Sequence, residues 1–281
     1  YFDRKFNEPM WFSDKSVLSH EEYIDAFIGM KSCDFLDNVS KEYPWHLFVS
    51  FDGPHDPWDA PEKYLKLYEN SEFPPSIKDN MAGKPEWIKK RQQKHSKGMS
   101  SDDLNSLKQN YAGMIKHIDD WVGNILDSLN NRGMEDNTTI IFCADHGEML
   151  GNHGLFQKRV MYEDSLRVPL IISDPDIKRR GKTDALAELV DLYPTILDIA
   201  NVEYESRNLD GKSLIPILTD GEKKHKLFQV AQIVHSRMIY DGRYKFIHNI
   251  NDSNELYDLQ NDPMELNNII KENPKLVHSL K

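Results

Sequence analysis

The sequence predicts an α/β fold: a mainly parallel sheet flanked by helices, followed by a small C-terminal subdomain of antiparallel sheet and helix. Three observations predict it. A long amphipathic stretch covers residues 104–129, an unbroken β-prone run follows at 138–144, and short strand-like segments separated by tight turns crowd the chain beyond about residue 215. Helix, short loop and buried strand make half of a right-handed crossover unit, and strands covered on both faces read as continuous apolar runs. The division expected from this change of pattern places residues 1–215 in the larger domain and 216–281 in the subdomain.

The elements follow in chain order. His46-Leu47-Phe48-Val49-Ser50-Phe51 reads as a strand that stops at the turn signal Asp52-Gly53-Pro54. Residues 53–100 are rich in Pro, Gly, Lys and Trp without clear periodicity, so they read as a surface excursion with a short helix around 61–68. Within it, Lys89, Lys90, Arg91, Lys94 and Lys97 form the densest basic stretch. It reads as a solvated face, with a local anion-binding patch as the alternative. Ser100-Ser101-Asp102-Asp103 offers N-cap chemistry, and Leu104, Leu107, Tyr111, Met114, Ile115, Ile118, Val122, Ile125, Leu126 and Leu129 then recur at helical spacing until Asn130-Asn131-Arg132-Gly133. After the strand at 138–144, residues 168–173 and 185–190 read as further strands, and Asp191 as the cap of a helix through Ala200 with Pro194 in its first turn. The subdomain would hold strands at 228–234, 238–240, 244–248 and 255–259 and a helix from Leu266 onward.

Composition narrows the function classes. In 281 residues, 39% hydrophobic and 29% charged side chains are enough for a core and exclude a collagen-like or wholly disordered chain. No apolar run approaches the roughly 20 residues of a membrane-spanning helix. With 35 Lys and Arg against 46 Asp and Glu, the net charge of -11 argues against a nucleic-acid partner. Cys33 and Cys143 are too few for a disulfide framework and lack metal-site spacing. The chain opens on Tyr1-Phe2-Asp3-Arg4, so the expectation is a processed terminus or an N-terminal portion lying elsewhere.

The chemistry concentrates after the run at 138–144. Asp145-His146-Gly147 would emerge at the carboxyl end of a strand, where open α/β sheets form their ligand crevice. A carboxylate beside an imidazole can bind a divalent cation; the plainer alternative is a capping Asp beside a loop His. Lys158 follows soon after and, as a compact charge with three donors, could reach a sulfuryl or phosphoryl oxygen. Upstream, His55 stands between Pro54 and Pro57 just past the strand at 46–51, in a stiff loop suited to a proton donor near neutral pH. Each of these alone is more often a solvated or structural residue.

Together they resemble the sulfatase family, within the alkaline-phosphatase-like superfamily. The resemblance runs in order from about residue 45 to 260. It is carried by Pro54-His55-Asp56-Pro57, Tyr111-Ala112-Gly113-Met114-Ile115 through Ile118-Asp119-Asp120, Asp145-His146-Gly147, Gly151-Asn152-His153-Gly154, Lys158, Tyr162-Glu163 and Arg167-Val168-Pro169. Asp191-Leu192-Tyr193-Pro194-Thr195, Asp210-Gly211-Lys212-Ser213-Leu214 and Glu255-Leu256-Tyr257-Asp258-Leu259 continue it. It implies that Asp145 and His146 bind the catalytic divalent cation, usually calcium, although an imidazole where many members have Asn leaves magnesium, manganese or zinc open. It further implies that Lys158 contacts the sulfate, that His55 binds the sulfate or protonates the departing alcohol, and that His153 lines the substrate pocket. No role carries over to Asp119 or Asp120.

The family's nucleophile is a formylglycine made from Cys or Ser in a Cys/Ser-x-Pro-x-Arg motif, and no Cys or Ser here stands in that context. The paired aspartates that complete the family's metal site are also missing. The chain therefore reads as the C-terminal portion of a sulfatase, inactive alone, whose parent hydrolyses a sulfated small molecule or carbohydrate outside the cytoplasm or in lysosomes. The alternatives are a phosphodiester or phosphonate monoester hydrolase of the same superfamily, and a non-catalytic sulfatase-like binding protein. Trp58 and Trp87 could stack on a sugar or simply pack in the core.

Overall fold

The long helix expected from the apolar spacing is α4, Ser101–Asn131, in a computed structural model that describes residues 13–221 and 224–280. Its capping box closes as the sequence implies: the Asp103 amide donates to Ser100 Oγ at 3.1 Å, and the Ser100 amide to Asp103 Oδ2 at 2.9 Å. The chain divides into two units. One gathers residues 13–77, 92–138 and 150–157; the other gathers 78–91, 139–149 and 158–280.

In the first unit α4 packs against α1 (Ile24–Asn38) and the one-turn helix α2 (Glu62–Leu65). The core holds Tyr23, Trp58, Ala60, Leu107, Met114 and Phe156. The sequence reading contains no α1, and the reason is physical. Its buried positions include Ala26, Gly29 and Ser32, whereas Ile24, Phe27, Met30 and Phe35 are exposed, so the usual apolar stripe is inverted. A Cβ on Gly29 would lie 2.3 Å from the Trp121 ring, so only glycine permits this approach of α1 and α4. Arg132, just past α4, closes the far end of α1 by donating to the carbonyls of Leu36 at 3.2 Å and Val39 at 2.9 Å.

The basic stretch lies on α3 (Glu86–His95) and just beyond it. In the second unit, β1 (Ile140–Cys143) and β2 (Leu170–Ser173) form a two-stranded ladder. The expected parallel sheet is corrected here: the pair is antiparallel, with Ile140 opposite Ser173 and Cys143 opposite Leu170. Parallel neighbours need a crossover that carries the chain back to the start of the sheet. The segment between β1 and β2 contains only a 3-10 turn and the single turn α5 (Glu163–Leu166), and it begins and finishes at one end of the pair. With β2 its sole ladder partner among the described residues, β1 leaves Phe142 and Cys143 exposed, although its apolar run reads as doubly buried.

Two further expected strands are absent. Residues 46–51 alternate exposed with half-buried, but they carry no regular structure and join no ladder. Residues 185–190 end in a 3-10 turn and are held by side chains, with Gln229 Nε2 donating to the Ala187 carbonyl at 2.5 Å and the Val230 amide donating to Glu188 Oε1 at 2.7 Å. Helix α6 (Leu192–Ile199) follows as expected, and α7 (Ile215–Thr219) leads to the last sheet.

That sheet is the antiparallel meander β3 (Gln229–Ile233), β4 (Ser236–Tyr240), β5 (Tyr244–Asn249) and β6 (Glu255–Asp258). Phe246 and Leu256 pack against Val277 and Leu280 of α8 (Pro274–Leu280). This helix starts later than Leu266 because Asp262 holds the amides of Leu266 at 3.1 Å and Asn267 at 2.7 Å in a turn, and Pro274 suits the first helical position.

Candidate functional site

Asp145 and His146 leave the end of β1 in the second unit. The Asp145 side chain is 85% exposed, and its Oδ1 accepts the His146 amide at 2.9 Å. His146 Nδ1 donates to the Gly147 carbonyl at 2.9 Å, which fixes the tautomer: in the neutral ring the lone pair sits on Nε2. That nitrogen lies 3.4 Å from Asp145 Oδ2. Two electron-rich atoms so apposed call for a proton or a cation between them. Ligands bound at roughly 2.0–2.5 Å in neighbouring positions of one ion lie about this far apart. Among the described residues no group of three or more His, Cys, Asp or Glu gathers for a metal, so the pair fits two positions of a coordination sphere and no more.

Gly147 is required by proximity rather than by backbone angle. A Cβ there would fall 2.0 Å from the Asp164 carbonyl oxygen, and the Gly147 amide donates to the Ser165 carbonyl at 2.9 Å. The turn carrying Asp145 and His146 is thereby set against α5.

Lys158, in the same unit, is half-buried and flanked by Gln157 and Arg159 at φ +63° and +73°, both in the left-handed region that bulky residues avoid. The segment after it is anchored by buried charge. Lys245 Nζ donates to the Met161 carbonyl at 3.1 Å and pairs with Glu163 and Glu265, each at 2.7 Å. Tyr162 Oη donates to Glu255 Oε1 at 2.8 Å, and Lys84 Nζ donates to Tyr257 Oη at 2.8 Å while lying 4.0 Å from the centre of the Tyr162 ring. Sequence reading missed this network. Its signal was available in Lys245 and Glu255, charged residues in strand-like runs with apolar neighbours.

The first unit carries His55 and His153. His55 Nδ1 lies 2.8 Å from the Asp56 carbonyl and 3.1 Å from Asp56 Oδ1, so a proton on Nδ1 is doubly accepted. The loop before it hangs on Asp25 of α1, whose Oδ1 accepts the amides of Asp52 at 2.8 Å and Gly53 at 3.1 Å. Burial pushes the Asp25 carboxyl above its ordinary pKa. His153 is buried at φ +56° between Gly151 and Gly154, themselves left-handed, and its amide donates to the Ile77 carbonyl at 2.9 Å. Trp58 is fully buried in the core, and Trp87 Nε1 donates to Asn249 Oδ1 at 3.2 Å, which places both among packing residues. Asp119 and Asp120 pair with Lys116 on α4.

Comparison with known proteins adds a second line. Residues 2–202 match the family described as Sulfatase, and residues 151–281 match the one described as N-sulphoglucosamine sulphohydrolase, C-terminal. The chain is 32% identical over 243 residues to a choline-sulfatase of Rhizobium meliloti, covering 83% of this chain and 47% of that protein. It is 32% identical over 200 residues to the human N-acetylglucosamine-6-sulfatase, covering 70% of this chain and 36% of that one. The chain spans about half the length of the first curated relatives it matches. Among solved structures, one in complex with its substrate D-glucosamine-2-N,6-O-disulfate superposes with a TM-score of 0.79 at 25% identity, covering 92% of this chain and 68% of that one. The phosphonate monoester hydrolase of Agrobacterium radiobacter superposes with a TM-score of 0.78 at 25% identity, covering 94% and 59%.

Proposed function

The chain belongs to the sulfatase family, and from that premise we propose that the whole protein hydrolyses a sulfate ester, with Asp145 and His146 supplying two ligands to a divalent cation, calcium foremost. The observation that carries the proposal is the 3.4 Å apposition of His146 Nε2 and Asp145 Oδ2, with His146 Nδ1 already committed to a carbonyl. Bound there, the cation would draw charge from a sulfuryl oxygen. Magnesium, manganese or zinc would tolerate the nitrogen ligand at least as well.

This chain's residues would do the rest as follows. Lys158 presents an ammonium to a sulfate oxygen, and its compact charge and three donors suit a tetrahedral anion. His55, with Asp56 accepting its Nδ1 proton, holds a second proton on Nε2 for the departing alcohol or for a sulfate oxygen. His153, rigid in its left-handed turn, borders the substrate. No Cys or Ser of the chain stands in the formylglycine motif, so no residue here is assigned to attack on sulfur. A sulfated carbohydrate is the substrate class, supported by the relatives that act on glucosamine sulfates.

A second reading, phosphonate monoester or phosphodiester hydrolysis, is favoured by the likeness to the Agrobacterium enzyme. The test is kinetics of the whole protein on 4-methylumbelliferyl sulfate, glucosamine 6-sulfate, a phenyl phosphonate monoester and bis(4-nitrophenyl) phosphate. Sulfate esters should be preferred, chelation should abolish turnover, and His146→Ala should raise the metal concentration required. A clear preference for the phosphorus esters would sink the sulfatase assignment, and indifference of turnover to chelation would sink the metal assignment.

A further inference from the structure

Arg91 belongs to the basic stretch that the sequence reads as a solvated face, yet the structure turns it inward. Its side chain is half-buried, and its Nη2 donates to the backbone carbonyl of Lys158 at 2.6 Å. A longer contact of 3.4 Å reaches from Nη1 to the carbonyl of Arg159. Both atoms of contact lie within the second unit. The carbonyls it holds belong to a stretch where three successive residues combine two left-handed conformations with a candidate sulfate-binding side chain: Gln157 at φ +63°, Lys158, and Arg159 at φ +73°. Non-glycine residues persist in that region only when their surroundings over-determine them. A guanidinium is the group suited to do so, because its planar fork can donate to two adjacent carbonyl oxygens while carrying a charge that strengthens both bonds.

The electrostatics agree. Burial lowers the guanidinium's pKa, the charge of Arg159 lowers it further, and Glu148 opposes both. Glu148 follows directly on Asp145-His146-Gly147, so Arg91 stands in the field of the metal-candidate turn while gripping the Lys158 segment. Its neighbour Lys90, by contrast, is exposed.

We propose that Arg91 is a positioning residue, a clamp that holds the Lys158 backbone in its left-handed turn and so aims the Lys158 ammonium at the sulfate. This rests on the role given above to Lys158. The clamp itself is read in this chain by hydrogen exchange and mass spectrometry. Arg91→Ala should speed exchange of the amides at 157–161 about tenfold, and Lys90→Ala should not. In the whole protein, Arg91→Ala should lower kcat on the preferred sulfate ester about tenfold with little change in melting temperature. Added ethylguanidinium should restore part of it, whereas Arg91→Lys, a point charge without the fork, should remain impaired. Unchanged exchange at 157–161 in Arg91→Ala overturns the clamp. So does faster exchange spread evenly through the second unit, because that marks a general stabiliser. If exchange at 157–161 rises but Lys158→Ala turns over at the wild-type rate, the functional reading of Lys158 falls instead, and with it the aim assigned to the clamp.

Discussion

Acid should loosen the first unit through one residue of α4. His117 has no exposed surface, and its Nε2 accepts the Trp121 indole proton at 3.1 Å, a bond that requires the nitrogen to be unprotonated. The Tyr64 ring lies 4.7 Å away, centre to centre, and Tyr23 meets it edge-on. Burial, reinforced by the charges of His20 and Lys63 and opposed by Asp120, lowers its pKa from 6.5 to about 4. Between those values the unfolded chain binds a proton that the folded chain refuses, so stability falls as pH falls. The contribution is intact above the ordinary histidine value and is lost progressively as pH drops toward about 4, at a total of about 3 kcal/mol. Urea unfolding followed by tryptophan fluorescence, compared with His117→Gln at each pH, isolates it. The substitution shifts the baseline, but the pH-dependent difference between the two proteins should approach 3 kcal/mol between neutral pH and about 4. A difference that stays constant with pH, or a His117 ring resonance titrating near 6.5, would refute the reasoning.

Two further outcomes follow from close contacts. Gly147→Ala should cost about 1–3 kcal/mol or more, because its methyl group must displace the Asp164 carbonyl; a melting temperature equal to wild type would show that the turn yields freely. Asp25→Ala should destabilise the first unit by about 2–4 kcal/mol by stranding the amides of Asp52 and Gly53, and Asp25→Asn, which keeps an acceptor, should cost far less. Equal losses in urea unfolding for the two variants would refute the assignment of Asp25 as the anchor of the His55 loop.

What the sequence made legible depended on whether a local pattern matched the interaction that builds the element. The α4 helix, the Ser100 cap and the C-terminal strands are local periodicities, and they are where the spacing puts them, although Ile115 and Leu126 of the expected stripe are exposed. Asp145-His146-Gly147 was legible as a candidate because the residue types, their adjacency and the strand before them all lie within one short window. Sheet direction was not, because apolar runs report burial while pairing direction depends on where the connecting chain returns, and β1 meets β2 head to tail. Helix α1 was hidden because its contact face is made of small residues. Arg91 was hidden because nothing local separates a lysine or arginine that snorkels to water from one whose guanidinium finds two carbonyls 67 and 68 residues away.

The buried charges of the second unit show how far chemistry-bearing residues can mislead when geometry is ignored. Lys84, Tyr162, Glu255 and Tyr257 have the side chains of an acid–base site, and their perturbed environment is real: burial drives both phenols well above the ordinary tyrosine pKa and pushes the Lys84 ammonium down. Perturbed groups cluster at active sites, but structural networks produce the same shifts. Here access decides. All four are buried, none more than 2% exposed, and Glu255 Oε1 already accepts from both tyrosines, at 2.8 and 2.6 Å. A substrate would have to break bonds that cost more than solvent-exposed ones to replace. The network therefore reads as the anchor of the 161–163 segment, with Lys245 binding the Met161 carbonyl from the same side. Asp145 and His55 are exposed enough to meet a ligand, and that exposure is what separates these candidates from the buried network.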